Sequence, residues 1–256
     1  MFRLSILITI GLAASALGWI KVPDNYLINN NGRIVGGEDA APNQFPYQAS
    51  LRSASMGHFC GGTIINNCYI LSAAHCDDYA NVTKFVVVGS IFLDNGGVTH
   101  DVVRVINHPN YNADTFENDI NLIKVSPYIT YNEAVQPMPI AAHYAESGPA
   151  VVSGWGHLEY QGEIPNHLQF LNTDIISNEE CIEKLPNTNR PIVETNICQF
   201  VPEGQGTCQG DSGGPLVHNG GVHGIVSWGI PPCGGPYPGI LTRVSAYVSW
   251  ILANAV

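Results

Sequence analysis

The residues best suited to covalent chemistry lie in the segment 210–214, which reads GDSGG and precedes the apolar run Pro215–Val217. Glycines around a serine predict a tight turn, because glycine adopts positive φ and leaves room for a substrate backbone. A serine hydroxyl is a weak nucleophile, so it needs a base that removes its proton and donors that stabilise the oxyanion. Ser212 is therefore a candidate nucleophile if the rest of the chain supplies these groups, and otherwise a serine in a glycine-rich turn.

Two further segments carry the side chains that such a nucleophile requires. His75 lies among small residues in the segment 71–76, and Asp119 lies at the start of the apolar run 120–123. A buried carboxylate is costly unless it is paired, and a histidine ring N–H would satisfy it. The same contact would fix the tautomer that a general base requires. Ser212, His75 and Asp119 thus form a candidate nucleophile, base and orienting acid.

Short apolar runs bounded by Gly, Pro or Asn predict the strands that would position these side chains. They are rich in β-branched residues, and the chain has 27 Gly and 17 Pro, which favours an all-β fold. The predicted strands are 48–51, 63–65, 69–72, 85–88, 101–106, 120–125, 150–153, 168–171, 215–218, 222–227 and 239–243. This pattern fits two barrels or a pair of sandwiches. Residues 127–149 predict a crossing linker between two halves, and the apolar spacing in 244–255 predicts a terminal helix.

Composition limits the classes of protein that the chain can represent. Hydrophobic residues make up 45% of the 256 residues and charged residues 12%, which is enough apolar material for a core and too little charge for a disordered chain. This length allows one large domain or two small ones. The formal net charge of −11 argues against nucleic acid as a partner.

The amino-terminal residues predict export and processing. An apolar run after Arg3 predicts a signal peptide over residues 1–18. The run is shorter than the ~20 residues that a membrane span needs, so we expect a secreted, extracellular protein with no membrane partner. Residues 19–33 are polar and end at Arg33, a basic residue that a protease can reach in an exposed linker. Cleavage there would create a new amino terminus at Ile34.

Seven cysteines in a chain predicted to be secreted indicate disulfides with one cysteine left over. No CxxC occurs and no histidines stand at metal-ligand spacing around the cysteines, so we expect no zinc site. We also expect no other metal and no cofactor. Asn81 begins an N-glycosylation sequon, Asn-Val-Thr, which makes it a candidate glycosylation site.

These segments and several others resemble the chymotrypsin-like (trypsin-fold) serine endopeptidases. The matches follow that family's order and extend over residues 34–256: Arg33–Gly37, Cys60–Thr63, Ala73–Cys76, Asp119–Ile120, Gly154–Gly156, Cys208–Pro215 and Ser227–Gly229. The resemblance implies two six-stranded antiparallel β-barrels with a C-terminal α-helix and an active site in the cleft between the barrels. It also implies hydrolysis of peptide bonds through an acyl-enzyme.

The resemblance implies a role for each candidate residue. Ser212 would be the nucleophile, His75 the general base and then acid, and Asp119 its orienting partner. The backbone N–H groups of Gly210 and Ser212 would form the oxyanion hole. The implied disulfides are Cys60–Cys76, Cys181–Cys198 and Cys208–Cys233, which leaves Cys68 as a buried free thiol or as half of an intermolecular disulfide.

The resemblance also implies that the chain is a zymogen. Residues 19–33 would be an activation propeptide, cut after Arg33 by a trypsin-like protease. The freed amino group of Ile34 would then fold inward and pair with Asp211, which orders the oxyanion hole. In the uncut chain, His58 would pair with Asp211.

In this family a primary pocket selects the residue before the cleaved bond. The resemblance places it at Gly206, Thr207, Ser227, Trp228, Gly229 and Gly239. An uncharged base at Gly206 and open walls at Gly229 and Gly239 favour Phe, Tyr, Trp, Leu or Met, through apolar burial of about 1.5–3 kcal/mol. The Pro- and Gly-rich loop 231–236 and Leu241 depart from the family pattern, so elastase-like or broad, collagen-cutting specificity stays open.

The expected biological role is that of a digestive protease, with a cascade or venom protease and a non-catalytic binding homologue as alternatives. The partners implied by the family are protein or peptide substrates, the activating protease and protein protease inhibitors. We expect a monomer.

Overall fold

The structure is a computed structural model that describes residues 34–77 and 84–256. The predicted signal peptide (1–18), propeptide (19–33), cleavage residue Arg33 and glycosylation site Asn81 lie outside the described residues.

The strands are β1 (Glu38–Asp39), β2 (Gln48–Ser53), β3 (Gly57–Ile64), β4 (Tyr69–Ser72), β5 (Lys84–Val88), β6 (Val98–Asn107), β7 (Asn121–Ser126), β8 (Gly148–Gly154), β9 (Gln169–Ile176), β10 (Asn196–Phe200), β11 (Pro215–His218), β12 (Gly221–Trp228) and β13 (Gly239–Arg243). The helices are α1 (Asn178–Lys184) and α2 (Val248–Asn254).

The strands form two closed, six-stranded antiparallel barrels. The first has the order β2-β3-β4-β7-β6-β5 and closes where β2 pairs with β5. The second has the order β9-β10-β13-β12-β11-β8 and closes where β8 pairs with β9, while the short β1 adds to its β9 edge. Of the two folds that the strand pattern allows, the chain therefore adopts the barrels, and residues 127–147 connect one barrel to the other.

Each barrel encloses an apolar core to which several of its strands contribute buried side chains. Leu51, Ile64 and Ile70 are almost fully buried in the first barrel, and Leu216 and Ile197 in the second. Burial of side chains of this size contributes roughly 1.5–3 kcal/mol each. His75, Asp119 and Ser212 lie in turns and loops next to strands of these barrels, whereas Ser227 and Trp228 lie in β12 and Gly239 in β13.

The predicted terminal helix is present as α2, preceded by a single 3-10 turn at Val244–Ala246. Its buried residue Ile251, together with Val244 and Tyr247, joins the core cluster of the first barrel. The helix thus follows the last strand of the second barrel in sequence and packs against the first barrel.

Strands β1 and β10 and helix α1 were not predicted from the sequence. Strand β10 reads NICQF and has polar residues at both Asn196 and Gln199, yet both are buried. Helix α1 has an N-cap serine, Ser177, whose hydroxyl accepts a hydrogen bond from the Glu180 N–H at 3.1 Å. A serine three residues before a glutamate is a known signal for the start of a helix. The surrounding pattern of short strands drew attention away from it.

The structure contains the three disulfides that the family resemblance implies: Cys60–Cys76, Cys181–Cys198 and Cys208–Cys233. The first joins β3 to the 3-10 turn that carries His75, and the third joins the loop before Ser212 to the loop at 230–236. Cys68 is a free, half-buried cysteine. Within residues 34–77 and 84–256, no helix has the length and apolar character needed to cross a membrane.

Candidate active site

Asp119 lies at the end of the loop that leads into β7, and its side chain is fully shielded from solvent. One carboxylate oxygen accepts a hydrogen bond from the backbone N–H of His75 at 2.9 Å. The other accepts one from Nδ1 of His75 at 2.7 Å and another from the Ser227 hydroxyl. The Thr242 hydroxyl donates to the Asp119 backbone carbonyl at 2.7 Å. Such a set of donors offsets the desolvation cost of a buried carboxylate.

His75 lies in the 3-10 turn Ala74–Asp77, directly after β4. Its Nδ1–H must be the donor to Asp119, because a carboxylate can only accept, and the neutral ring then has a free acceptor at Nε2. The side chain is 14% exposed, and the ring of Phe116 lies against it at 5.3 Å between centroids. His75 is therefore held in the tautomer that can take a proton at Nε2.

Ser212 lies in the tight turn before β11, and this turn is locked against the first barrel. The Gly61 N–H donates to the Ser212 carbonyl at 2.7 Å. A Cβ at Gly213 would lie 2.1 Å from the Ser72 hydroxyl oxygen, so only glycine allows this approach. The glycine after the serine therefore serves the contact between the two barrels.

Ser212 and His75 line one cavity of about 290 Å³. Within the described residues, no hydrogen bond joins His75 Nε2 to the Ser212 hydroxyl. Such hydrogen bonds are often long in enzymes without substrate and shorten when substrate binds. The position of both residues on one cavity is therefore what supports a pairing of His75 with Ser212.

Gly210 is fixed by a chain of hydrogen bonds that begins in the first barrel. Its carbonyl accepts from His58 Nε2 at 3.0 Å, and His58 Nδ1 accepts from the Ser50 hydroxyl at 2.8 Å. Burial lowers the pKa of His58 to about 4, so the ring is neutral and has the single N–H that this arrangement uses. Arg52 donates from Nε to the Ser50 oxygen at 2.9 Å. In this structure His58 thus contacts Gly210 and not Asp211, the partner implied for the uncut chain.

Asp211 is the second buried carboxylate, at 1% exposure. Its oxygens accept from the backbone N–H groups of Gly156 at 2.8 Å and Cys208 at 2.9 Å. A Cβ at Gly154 or Gly156 would lie 2.2 Å from a carboxylate oxygen, which explains the glycines on both sides of Trp155. Burial raises the pKa of Asp211 to about 6, against the effect of the two N–H donors. No cation pairs with it among the described residues.

Ile34 is completely buried in the core of the second barrel. The next residue, Val35, forms a bridge with Gly206, whose N–H donates to the Val35 carbonyl at 3.0 Å. The segment that would become the amino terminus therefore already contacts the loop that leads to Asp211.

All six residues assigned to the primary pocket line the cavity that contains Ser212: Gly206, Thr207, Ser227, Trp228, Gly229 and Gly239. The two wall glycines differ, however. No atom lies within 4 Å of a Cβ built at Gly229, whereas one at Gly239 would lie 3.0 Å from Gln199 Nε2. The wall at Gly229 is open, and the space beside Gly239 is filled by a glutamine. Leu241 packs in the core and does not line the cavity.

Three side chains of this site were not found from the sequence. Phe116 packs against His75, Thr242 braces the Asp119 backbone, and Gln199 fills the wall beside Gly239. None lies in a recognisable motif. Gln199 directly follows Cys198, and its position on the pocket wall depends on the register of β10 with β13.

Comparison with known proteins gives one consistent family. The family model described as Trypsin matches residues 34–251. Among curated proteins, the chain is 38% identical to Trypsin delta of Drosophila melanogaster over 98% of its own length and 100% of that protein. It is 40% identical to Chymotrypsin-2 of Vespa crabro over 86% of its length and 99% of that protein.

Among solved structures, the chain is similar to neuropsin, a serine protease expressed in the limbic system of mouse brain. The TM-score is 0.79 at 32% sequence identity, with 86% of this chain and 99% of that chain covered. The relatives thus include proteins named trypsin and chymotrypsin at nearly equal identity, which leaves the primary specificity open.

The raised pKa of Asp211 predicts an unusual pH dependence of stability in the uncut chain. An acid whose folded pKa lies above its unfolded value of 3.8 binds more protons when folded between pH 4 and 6. Its contribution to the free energy of unfolding is therefore greatest below pH 4 and falls as the pH rises to about 6, by about 1.4 kcal/mol per unit of pKa shift. Urea unfolding of the uncut chain and of Asp211→Asn between pH 4 and 7.5 measures this.

We expect the difference in unfolding free energy between the two proteins to change steadily up to about pH 6 and then to level off. Asp174→Asn, which changes an exposed acid on β9, is the control for loss of one charge. A difference that stays constant over the whole range would contradict the buried, unpaired state of Asp211.

Proposed function

We propose, since the chain belongs to the trypsin family of serine endopeptidases, that Ser212, His75 and Asp119 are its catalytic residues and that it hydrolyses peptide bonds through an acyl-enzyme. The observation that carries this proposal is the 2.7 Å bond from His75 Nδ1 to the buried Asp119 carboxylate, with Ser212 and His75 on one cavity. This geometry leaves His75 Nε2 as the acceptor that a serine nucleophile needs.

In this mechanism, His75 Nε2 takes the proton of Ser212 as the hydroxyl oxygen attacks the carbonyl carbon of the substrate. Asp119 keeps the Nδ1–H in place and stabilises the imidazolium that forms. His75 then gives the proton to the leaving amine, and a water molecule releases the acyl group by the same steps in reverse order. The N–H groups of Gly210 and Ser212 would hold the oxyanion, each such donor being worth about 10²–10³ in rate.

We place this active site in the cleft between the barrels. His75 and Asp119 lie next to β4 and β7 of the first barrel, while Ser212 precedes β11 of the second. The hydrogen bond from Gly61 N–H to the Ser212 carbonyl joins the two sides. A substrate bound between the barrels would therefore meet the base from one side and the nucleophile from the other.

The favoured substrates are peptides with a large uncharged side chain before the cleaved bond: Phe, Tyr, Trp, Leu or Met. The cavity is about 290 Å³ in volume, and no Asp or Glu lines it within the described residues. A Lys or Arg side chain would be buried there without a counter-ion, which is costly. The open wall at Gly229 supports a large side chain over an elastase-like small one.

We further propose that the protein is a secreted digestive zymogen, with a signal peptide at 1–18 and a propeptide at 19–33. A trypsin-like protease would cut after Arg33, and the new amino group at Ile34 would supply the cation that Asp211 lacks. The buried position of Ile34 and the contact between Val35 and Gly206 support this route. Protein protease inhibitors would bind the same cleft as substrates, and the enzyme would act as a monomer.

Covalent labelling tests the nucleophile. After cleavage at Arg33, we expect a fluorophosphonate to form one adduct on Ser212, because only a serine activated by a base reacts readily. Ser212→Ala should remove the adduct, while Ser249→Ala, on the exposed face of α2, should leave it unchanged. Intact mass and peptide mapping measure the adduct, and an unlabelled cleaved enzyme would refute the catalytic assignment.

Replacement of the buried acid tests the role of Asp119. Asp119→Asn retains the shape of the side chain but favours the wrong tautomer of His75, so we expect kcat to fall by about 10⁴ while KM changes little. Steady-state kinetics on a peptide anilide measures both constants. Asp174→Asn serves as the matched control on the surface, and a loss of less than tenfold at Asp119 would contradict the proposed role.

A larger side chain at the open wall tests the pocket. Gly229→Val would place a branched side chain in the empty space of the cavity. We expect kcat/KM to fall by about 10–200-fold for Phe and Tyr substrates, whereas an Ala substrate should change little. Matched peptides that differ only before the cleaved bond give this ratio. Equal losses on the Phe and Ala peptides would argue that the wall does not contact the substrate.

A further inference from the structure

Gln199 is a buried polar residue that lines the cavity containing Ser212. It lies on β10, opposite Gly239 of β13, and is only 1% exposed. Glutamine is seldom buried to this degree, because its amide needs partners for two donors and an acceptor.

The amide of Gln199 is only partly satisfied. Its Nε2 donates to the Thr207 hydroxyl oxygen at 3.2 Å, and its Oε1 has no hydrogen-bond partner among the described residues. Buried polar atoms in folded proteins nearly always have a partner, so an unpaired acceptor in a residue that lines the cavity indicates a position for a donor from a ligand.

The surrounding backbone leaves room for this amide. A Cβ at Gly239 would lie 3.0 Å from Gln199 Nε2 and 3.1 Å from its Cγ, so the glycine makes space for glutamine. Thr207, next to Gly206, lies at the other end of the hydrogen bond. Because Thr207 accepts from Gln199, its own hydroxyl proton remains available to a ligand.

We infer that Gln199 is a specificity-determining residue that, together with Thr207, makes the pocket favour tyrosine over phenylalanine before the cleaved bond. The inference rests on the proposed function, since it concerns the same pocket. A phenol can donate its O–H to Gln199 Oε1 and accept the proton of Thr207. Phenylalanine has the same ring but offers neither bond, so it would leave Gln199 Oε1 without a hydrogen-bond partner.

Discrimination of this kind has a general physical basis. A site whose buried groups bind a substrate hydroxyl rejects the analogue that lacks it more strongly than an apolar pocket rejects a change in size. The pair is uncharged, so it gives no counter-ion to a Lys or Arg side chain. Tyrosine therefore fits both the open wall at Gly229 and the polar wall at Gln199.

The test uses the cleaved enzyme and two peptide anilides that differ only by Tyr or Phe before the anilide. We expect the wild-type kcat/KM to be about tenfold or more higher for Tyr. Gln199→Met, which retains the volume and removes the amide, should bring the ratio close to one by slowing the Tyr peptide. Gln136→Met, which changes an exposed glutamine, should leave the ratio unchanged.

A wild-type ratio close to one, or a ratio that Gln199→Met leaves unchanged, would overturn the inference. Gln199→Glu gives a second, independent measurement, because it retains an acceptor in nearly the same shape. It should accelerate cleavage after Arg by about tenfold or more, since a carboxylate would supply the missing counter-ion. No gain on the Arg peptide would show that residue 199 does not reach the substrate, and would also overturn the inference.

Failure of this inference can be told from failure of the proposed function. An enzyme that is labelled at Ser212 and cleaves Tyr and Phe peptides equally well would refute the role of Gln199 alone. An enzyme that is not labelled and cleaves neither peptide would refute the catalytic assignment. Fastest wild-type cleavage after Arg would contradict both the role of Gln199 and the proposed uncharged specificity.

Discussion

The burial of the Asp119 carboxylate is the constraint on which much of the structure depends. A charged group that is shielded from solvent must be paired. Here the Asp119 carboxylate accepts two hydrogen bonds from His75 and one from Ser227. Those contacts require the turn after β4, strand β12 and the loop before β7 to meet at one point. The position of the histidine is thus a consequence of how the fold stabilises a buried charge, and the disulfide Cys60–Cys76 restrains the same turn.

Asp211 illustrates the opposite case. It is nearly as deeply buried as Asp119, but among the described residues only two backbone N–H groups donate to its carboxylate, and burial raises its pKa to about 6. A carboxylate in this state is stabilised by any cation that reaches it. The two buried acids therefore differ in function. Asp119 holds the His75 side chain in place, whereas Asp211 can still pair with a cation that comes close to it.

The sequence indicated those residues of the candidate site that lie in local motifs, and it gave no signal for contacts that are made across strands. His75, Asp119 and Ser212 stand in short segments whose residue types indicate their chemistry, and most strands follow from β-branched runs. Gln199 lies in a strand with polar residues, and only the pairing of β10 with β13 places it opposite Gly239. The open wall expected at Gly239 is occupied for this reason. Register between distant strands has no local signal, so the position of Gln199 on the pocket wall could not be deduced.

The docking of α2 on the first barrel has a consequence for the order in which the molecule can form. Val244, Tyr247 and Ile251 complete a core whose other members come mostly from residues 49–135. Tyr247 also donates its hydroxyl to Asn118, the neighbour of Asp119, at 3.0 Å. Residues 244–251 follow the rest of this core in the chain, so neither the first core nor the surroundings of Asp119 can be completed before that segment has been synthesised.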